Sequence, residues 1–148
     1  MITPCRVRGT RTAATRPRLR RAGRAWDDRL ARGRRSEALA RELLTASGYT
    51  IERTNVRFPA GEIDIIAREG ATLCFVEVRS TACVEWGGPL GSITDQKRRR
   101  LIRAARWYLA RERTLPAEIR FDVVAVVWED GPTLELVRGA FDASGLNL

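Results

Sequence analysis

Apolar residues recur along this chain in two alternating periods. From about Gly33 to Ser47, Leu39, Ala40, Leu43, Leu44 and Ser47 keep helical spacing, and Gly48 is placed to stop the helix. Tyr49 to Arg57 then alternates loosely as a strand, and Phe58-Pro59-Ala60-Gly61 reads as a turn. From Glu62 to Arg68 the alternation sets Glu62 and Asp64 facing one way and Ile63 and Ile65 the other. Glu69-Gly70 predicts a hairpin turn into a third strand, Leu73 to Arg79. There Leu73, Phe75, Glu77 and Arg79 share one face, and Cys74, Val76 and Val78 the other. A Gly-rich loop over 82–93 contains Trp86-Gly87-Gly88-Pro89. Thr94 is a good N-cap, with Asp95 in the first turn of a helix that runs to about Arg113. Its apolar stripe is Leu101, Ala104, Ala105, Tyr108 and Leu109, and Pro116 closes it. Ile119 to Trp128 is a Val-rich strand of the central, buried kind, and Asp130-Gly131 turns into a last strand, Thr133 to Val137.

The order is helix, three strands, helix, strand, strand. It predicts an α/β layer arrangement in which the first three strands form a meander and the long helix crosses over to a fourth.

A chain of 148 residues is one domain's length and can bury a core without disulfides or metal. No apolar run approaches the roughly 20 residues of a membrane span, so an integral membrane protein is not expected. Residues 1–25 lack the apolar segment of a secretory signal. The three cysteines, Cys5, Cys74 and Cys83, have no metal-site spacing, which fits reduced thiols in a cytoplasmic protein. Histidine is absent, which removes every Ser-His or Cys-His nucleophile system. The chemistry left is that of carboxylates, arginine, one lysine or a bound metal.

The net charge of +9 is unevenly placed. Residues 1–35 hold twelve arginines against two acids, whereas residues 36–148 hold fifteen bases against sixteen acids. About 1–24 therefore reads as a disordered Arg-rich arm, and 25–148 as a single folded domain. Arg20, Arg21, Arg34 and Arg35 in this basic region are candidate sequence-independent phosphate contacts; a solvated tail is the plainer account. A second cluster, Lys97-Arg98-Arg99-Arg100 with Arg103 and Arg106, offers Arg98 and Arg99 as nucleic-acid contacts, against the plainer account of a solvated helix face.

Asp64 lies in an Ile-rich strand, and Glu77 and Arg79 lie in Phe-Val-Glu-Val-Arg. A carboxylate in mid-sheet is costly unless it is paired or bound to a cation. A short hairpin can make Asp64 and Glu77 neighbours, and a divalent metal would resolve their repulsion; oxygen ligands suit Mg²⁺ or Mn²⁺. Arg79 could hold a phosphate near that metal. The alternative is an ordinary acid–Arg pair along the strand. Lys97 is the only lysine against twenty-six arginines and shares the stripe of Leu101, Ala104, Ala105 and Tyr108. Arg cannot exchange a proton near neutrality, whereas Lys with a lowered pKa can; a snorkelling lysine is the plainer account. Glu37 falls beside Ala40 and Leu44, pointing inward, or is simply a first-turn acid favoured by the helix dipole.

Gly61-Glu62-Ile63-Asp64-Ile65-Ile66-Ala67, then Phe75-Val76-Glu77-Val78-Arg79, then Arg120-Phe121-Asp122-Val123-Val124, resembles the YraN family of uncharacterised bacterial proteins. The resemblance runs from about Gly33 to Phe141. It takes in Ser36-Glu37, Gly87-Gly88-Pro89-Leu90 and Thr94-x-x-Lys97. Members are regarded as predicted endonucleases of the PD-(D/E)XK superfamily, related to Holliday-junction resolvases. The resemblance implies a restriction-endonuclease-like αβββαβ core, a mixed central sheet flanked by helices. It implies Asp64 as the first metal-binding acid, Glu77 as the acid of the E-x-K element, Arg79 in the Lys place, Glu37 as a further metal ligand and Lys97 as a basic helix position. The function expected from it is a Mg²⁺- or Mn²⁺-dependent endonuclease acting on DNA, branched or damaged. The alternative is a nucleic-acid-binding module that keeps the fold without hydrolysis. A homodimer would follow by analogy with resolvases, whose junction substrates have two-fold symmetry. Two departures bear on activity: Arg79 stands in the Lys place, and Thr81 stands where a basic residue is often found.

Overall fold

A computed structural model describes residues 21–82 and 93–142, with side chains from Asp27 onward. The elements are α1 (Arg21–Ala46), β1 (Thr50–Phe58), β2 (Gly61–Glu69), β3 (Thr72–Thr81), α2 (Asp95–Leu109), β4 (Glu118–Val127) and β5 (Thr133–Phe141). The five strands form one mixed sheet in the order β1-β2-β3-β4-β5. Strands β1, β2 and β3 form an antiparallel meander, β3 and β4 are parallel, and β4 and β5 are antiparallel. The meander and the crossover through α2 are as the sequence pattern predicts.

Each face of the sheet is covered by one helix because each strand alternates its side chains between two cores. On one face, Leu101, Ala104, Ala105, Tyr108 and Leu109 of α2 meet Ile63, Ile66, Leu73, Phe75 and Phe121. Phe75 packs edge-on against Tyr108 and stacks on Phe121. On the other face, Ala40 and Leu44 of α1 meet Ile65, Ala67, Cys74, Val76, Val124 and Val126. Strand β4 is buried on both faces from Phe121 to Val126, as its Val-rich run predicts.

Three expectations need correction. Helix α1 starts at Arg21 rather than near Gly33, so it includes the end of the segment read as an arm. Arg, Ala and Leu are good helix formers, and Gly33 costs only about 1 kcal/mol inside a helix. The turns before it lack the apolar periodicity that would reveal them. Glu37 is consequently a mid-helix residue, which removes the first-turn account of it. Helix α2 stops at Leu109, before Arg113, where its apolar stripe runs out. The arm's residues 1–20 and the Gly-rich loop over 83–92, with Trp86, lie outside the described residues.

The third correction is local and positions the site. Ile63 and Ile65 do not share a face: Ile63 packs in the α2 core and Ile65 in the α1 core. The ladder pairs Thr54 with Ile65 and Val56 with Ile63, which sets Asn55 opposite Asp64. Asn55 has φ 51°, a left-handed conformation that Asn tolerates better than most residues. Pairing of β2 with β3 begins only at Ile65↔Val76. The two strands part at Asp64, and the strict period of two breaks there.

Candidate functional site

Where β2 leaves β3, the N–H of Val78 would lose its strand partner. The Asp64 carboxylate takes its place, with Oδ2 accepting from Val78 N at 2.8 Å. This bond fixes the orientation of a largely buried acid. Glu77 follows Phe75 on the α2 face of β3 and is half-buried. Burial first, and the Glu77 charge second, push Asp64 up to about 7, against the lowering effect of the Val78 bond. Burial also raises Glu77, although Lys97 and Arg79 both pull it down. The two carboxylates thus crowd each other at neutral pH, and Glu37 and Glu62 add repulsion on Asp64.

Two cations answer them. Arg79 Nη1 lies 3.7 Å from Glu77 Oε1. The acid–Arg pair weighed from the sequence is therefore present, and it sits inside the acidic cluster. Lys97 is delivered by the N-cap of α2, where Thr94 Oγ1 accepts from Lys97 N at 3.3 Å. The lysine lies on the sheet side of the helix, and burial, with Arg79 beside it, lowers its pKa. Glu37 reaches the same region from the opposite helix, its Oε2 accepting from Asn55 Nδ2 at 3.1 Å. The left-handed Asn55 therefore links Glu37 to the strand position facing Asp64.

The structure brings Asp64, Glu77, Arg79, Lys97 and Glu37 into one electrostatic cluster. It does not gather the candidate nucleic-acid residues into one patch. Arg34 and Arg35 belong to α1, and Arg35 lies 5.1 Å over the Trp128 ring. Arg98 and Arg99 belong to α2 on the other face of the sheet; Arg98 pairs with Asp95 at 3.9 Å and lies over Phe141. Arg20 and the side chain of Arg21 lie outside the described residues.

The donor set is all oxygen, which suits a hard divalent cation. Among the described residues no three acid, cysteine or histidine side chains converge as a ready-made metal cluster. Two carboxylates are nevertheless the usual protein share of a Mg²⁺ site that completes itself with water and substrate phosphate. Asp64 and Glu77 fit that share, with Glu37 behind them.

A second polar cluster escaped the sequence reading. Asp122 is fully buried, and its oxygens accept from Tyr49 Oη at 2.8 Å, Arg120 Nε at 2.7 Å and Gly139 N at 2.9 Å. Arg120 and Arg138 also bind Glu69. Burial and Asp122 hold the Tyr49 hydroxyl above its usual range, so it stays a donor. The signal was available: an acid flanked by Phe121 and Val123 is as costly as one flanked by isoleucines. A third cluster ties α1 to the sheet: Trp128 Nε1 donates to Ser36 Oγ and Ser80 Oγ, next to Glu37 and Arg79.

Fold and site together define an α/β protein with two helices on opposite faces of a mixed sheet, and paired carboxylates where two of its strands separate. The family model described as uncharacterised protein family UPF0102 matches residues 36–126, a span that holds all five clustered residues. The chain belongs to this family, the one its YraN-like motifs indicate. It is 44% identical over 119 residues to a UPF0102 protein of Anaeromyxobacter sp. (strain Fw109-5), covering 80% of this chain and 90% of the relative. It is 47% identical over 112 residues to one of Desulfosudis oleivorans, covering 76% and 90%. It is also 47% identical over 115 residues to one of Symbiobacterium thermophilum, covering 75% and 96%. Among the described residues no helix is long and apolar enough to cross a membrane.

Proposed function

We propose that this protein is a metal-dependent endonuclease acting on DNA, built on a restriction-endonuclease-like core. The observation that carries the reading is the partly buried pair Asp64 and Glu77 beside Lys97 and Arg79, at the point where β2 and β3 part. Carboxylates kept together at a cost in stability point to a cation as their purpose. The helix–meander–helix–strand order and the mixed sheet agree with the expected core.

Asp64 and Glu77 would hold Mg²⁺ or Mn²⁺, with Glu37 as a further ligand directly or through water. A bound divalent cation supplies an activated water and neutralises charge on the scissile phosphate. The chain's own residues do the rest. The Val78 N–H fixes Asp64, so one carboxylate oxygen keeps its direction. Arg79 offers a permanent guanidinium to phosphate oxygens, which stabilises developing charge without exchanging protons. Lys97 is the one amine in the chain's side chains; burial lowers its pKa, and in the proposed reaction its Nζ is the cation that would exchange a proton, a role Arg79 cannot take.

The test is cleavage of labelled four-way, flapped, single- and double-stranded DNA with Mg²⁺ or Mn²⁺, comparing wild type with Asp64→Asn purified identically. Metal-dependent cleavage that vanishes in the variant is the expected result. Equal cleavage by both proteins would show a contaminant and overturn the assignment. Binding without cleavage in either would favour the non-hydrolytic module, for which the ion pair between Arg79 and Glu77 is the specific observation.

A further inference from the structure

The near-neutral charge of residues 36–148 conceals a strong separation. Residues 95–113 hold eight bases against two acids, so this one segment is strongly basic and the remainder of the body is acidic. Helix α2 occupies most of the segment and buries its apolar stripe against the sheet. Arg99, Arg100, Arg103 and Arg106 are exposed on the rest of the helix, and Arg111 just beyond it.

In this basic face stands a large aromatic side chain. Trp107 is 45% exposed, although α2 has a core beneath it in which other aromatic rings are buried. Arg111 follows one turn later, its guanidinium 6.0 Å from the Trp107 ring and 5.5 Å from the Phe58 ring. Next to them a cleft of about 260 Å³ is lined by Arg53, Val56, Phe58, Tyr108, Arg111 and Glu112. That is below the roughly 300–1,000 Å³ of pockets for drug-sized ligands and is of a size for a single planar ring. The helix that carries this face begins with the turn that brings Lys97 to the carboxylates. Arg100 follows Lys97 by about one turn, its backbone oxygen 3.5 Å from where a Cβ on Gly61 would stand. Ten residues of helix separate Lys97 from Trp107, about 15 Å along the axis.

We infer that this face of α2, together with the Phe58 end of β1, is a binding track for an unpaired DNA strand. Trp107 is the platform on which a base stacks, and Arg103 and Arg111 contact the backbone. Stacking on an aromatic ring needs a base whose flat side is free, which a duplex does not offer. The charge selects a polyanion over a second copy of this chain, whose α2 would bring the same positive face. The inference deepens the nuclease reading by naming the strand form presented to Asp64 and Glu77. It rests on that reading for the destination of the strand and not for the binding itself.

The test is fluorescence-anisotropy titration of the full chain with labelled single-stranded and duplex DNA of equal length, in EDTA, at two salt concentrations. Trp107→Ala should weaken single-strand binding about tenfold and leave duplex binding within twofold. Arg111→Ala should weaken single-strand binding and reduce the salt slope. Leu30→Ala, a truncation of an exposed apolar side chain on α1, should change neither. Single-strand binding unchanged in Trp107→Ala, or lost equally for duplex, would overturn the inference. So would dimerisation of the protein that Trp107→Ala abolishes. Since EDTA removes any cleavage, an inactive wild-type enzyme that passes this test would sink the nuclease reading and leave the track standing.

Discussion

A binding acid and a structural acid should respond to neutralisation with opposite signs, and Asp64→Asn tests this directly. Asp64 has a folded pKa of about 7 against an ordinary 3.8, owing to burial and to Glu77. The sign follows from proton uptake. Below about pH 3.8 the acid is protonated in both folded and unfolded chains, and it costs nothing. Between these values the unfolded chain releases the proton and the folded chain keeps it, so stability falls as pH rises. Above about 7 the whole penalty is present. One pKa unit corresponds to about 1.4 kcal/mol, which bounds the penalty at about 4 kcal/mol. Glu77 shares it, and a buried amide has its own desolvation cost, so a net gain of about 1–2 kcal/mol is expected. Asn keeps an oxygen for the Val78 N–H, so that bond survives. In thermal melts the variant should show no gain over wild type at pH 4 and exceed it by roughly 2–8 °C at pH 8. Taking the difference between the two proteins removes other titrations, such as Glu69, whose pKa is lowered by Arg138 and Arg120. Millimolar Mg²⁺ at pH 8 should raise the wild-type Tm and leave the variant's unchanged. A variant less stable than wild type at pH 8, or a difference that does not grow with pH, would refute the electrostatic account of this site.

Asp122→Ala should destabilise the fold by about 3–5 kcal/mol in urea titration, because it strands Arg120, the Tyr49 hydroxyl and the Gly139 N–H around a buried gap. Asn55→Ala should cost about 1–2 kcal/mol by the same measurement, since Ala tolerates φ 51° less well and loses the bond to Glu37, whereas Asn55→Gly should recover the backbone share. Thr94→Ala removes the N-cap acceptor for Lys97 N and should lower stability by about 1 kcal/mol, with a larger proportional loss in cleavage if Lys97 works from that turn.

The order of elements and the two faces of β3 were legible because alternation there is regular and its apolar positions are unambiguous. The carboxylates Asp64 and Glu77 were legible for the opposite reason: each interrupts such a strand. What escaped the pattern was the switch of faces at Asp64. A period of two assumes a continuous ladder, and the separation of β2 from β3, with Asn55 left-handed across from it, is a tertiary event. The start of α1 escaped because turns rich in Arg, Ala and Leu carry helix propensity without an apolar stripe. Asp122 was visible as an isolated acid, but its donors Tyr49 and Gly139 come from separate parts of the chain, and only the fold collects them around it beside the neighbouring Arg120.

The donors to Asp122 also set an order of events in time. Tyr49 precedes β1 and is synthesised long before Asp122, whereas Gly139 belongs to β5, beyond the span that the family model matches. On the ribosome the nascent sheet can assemble its first four strands while its buried Asp122 has Tyr49 and Arg120 but still lacks its third donor. The Gly139 N–H can close on that charge only after β5 has been synthesised. A chain stalled or cut before β5 would hold an acid in its interior with an incomplete shell, and would be open to proteolysis as an unfinished product.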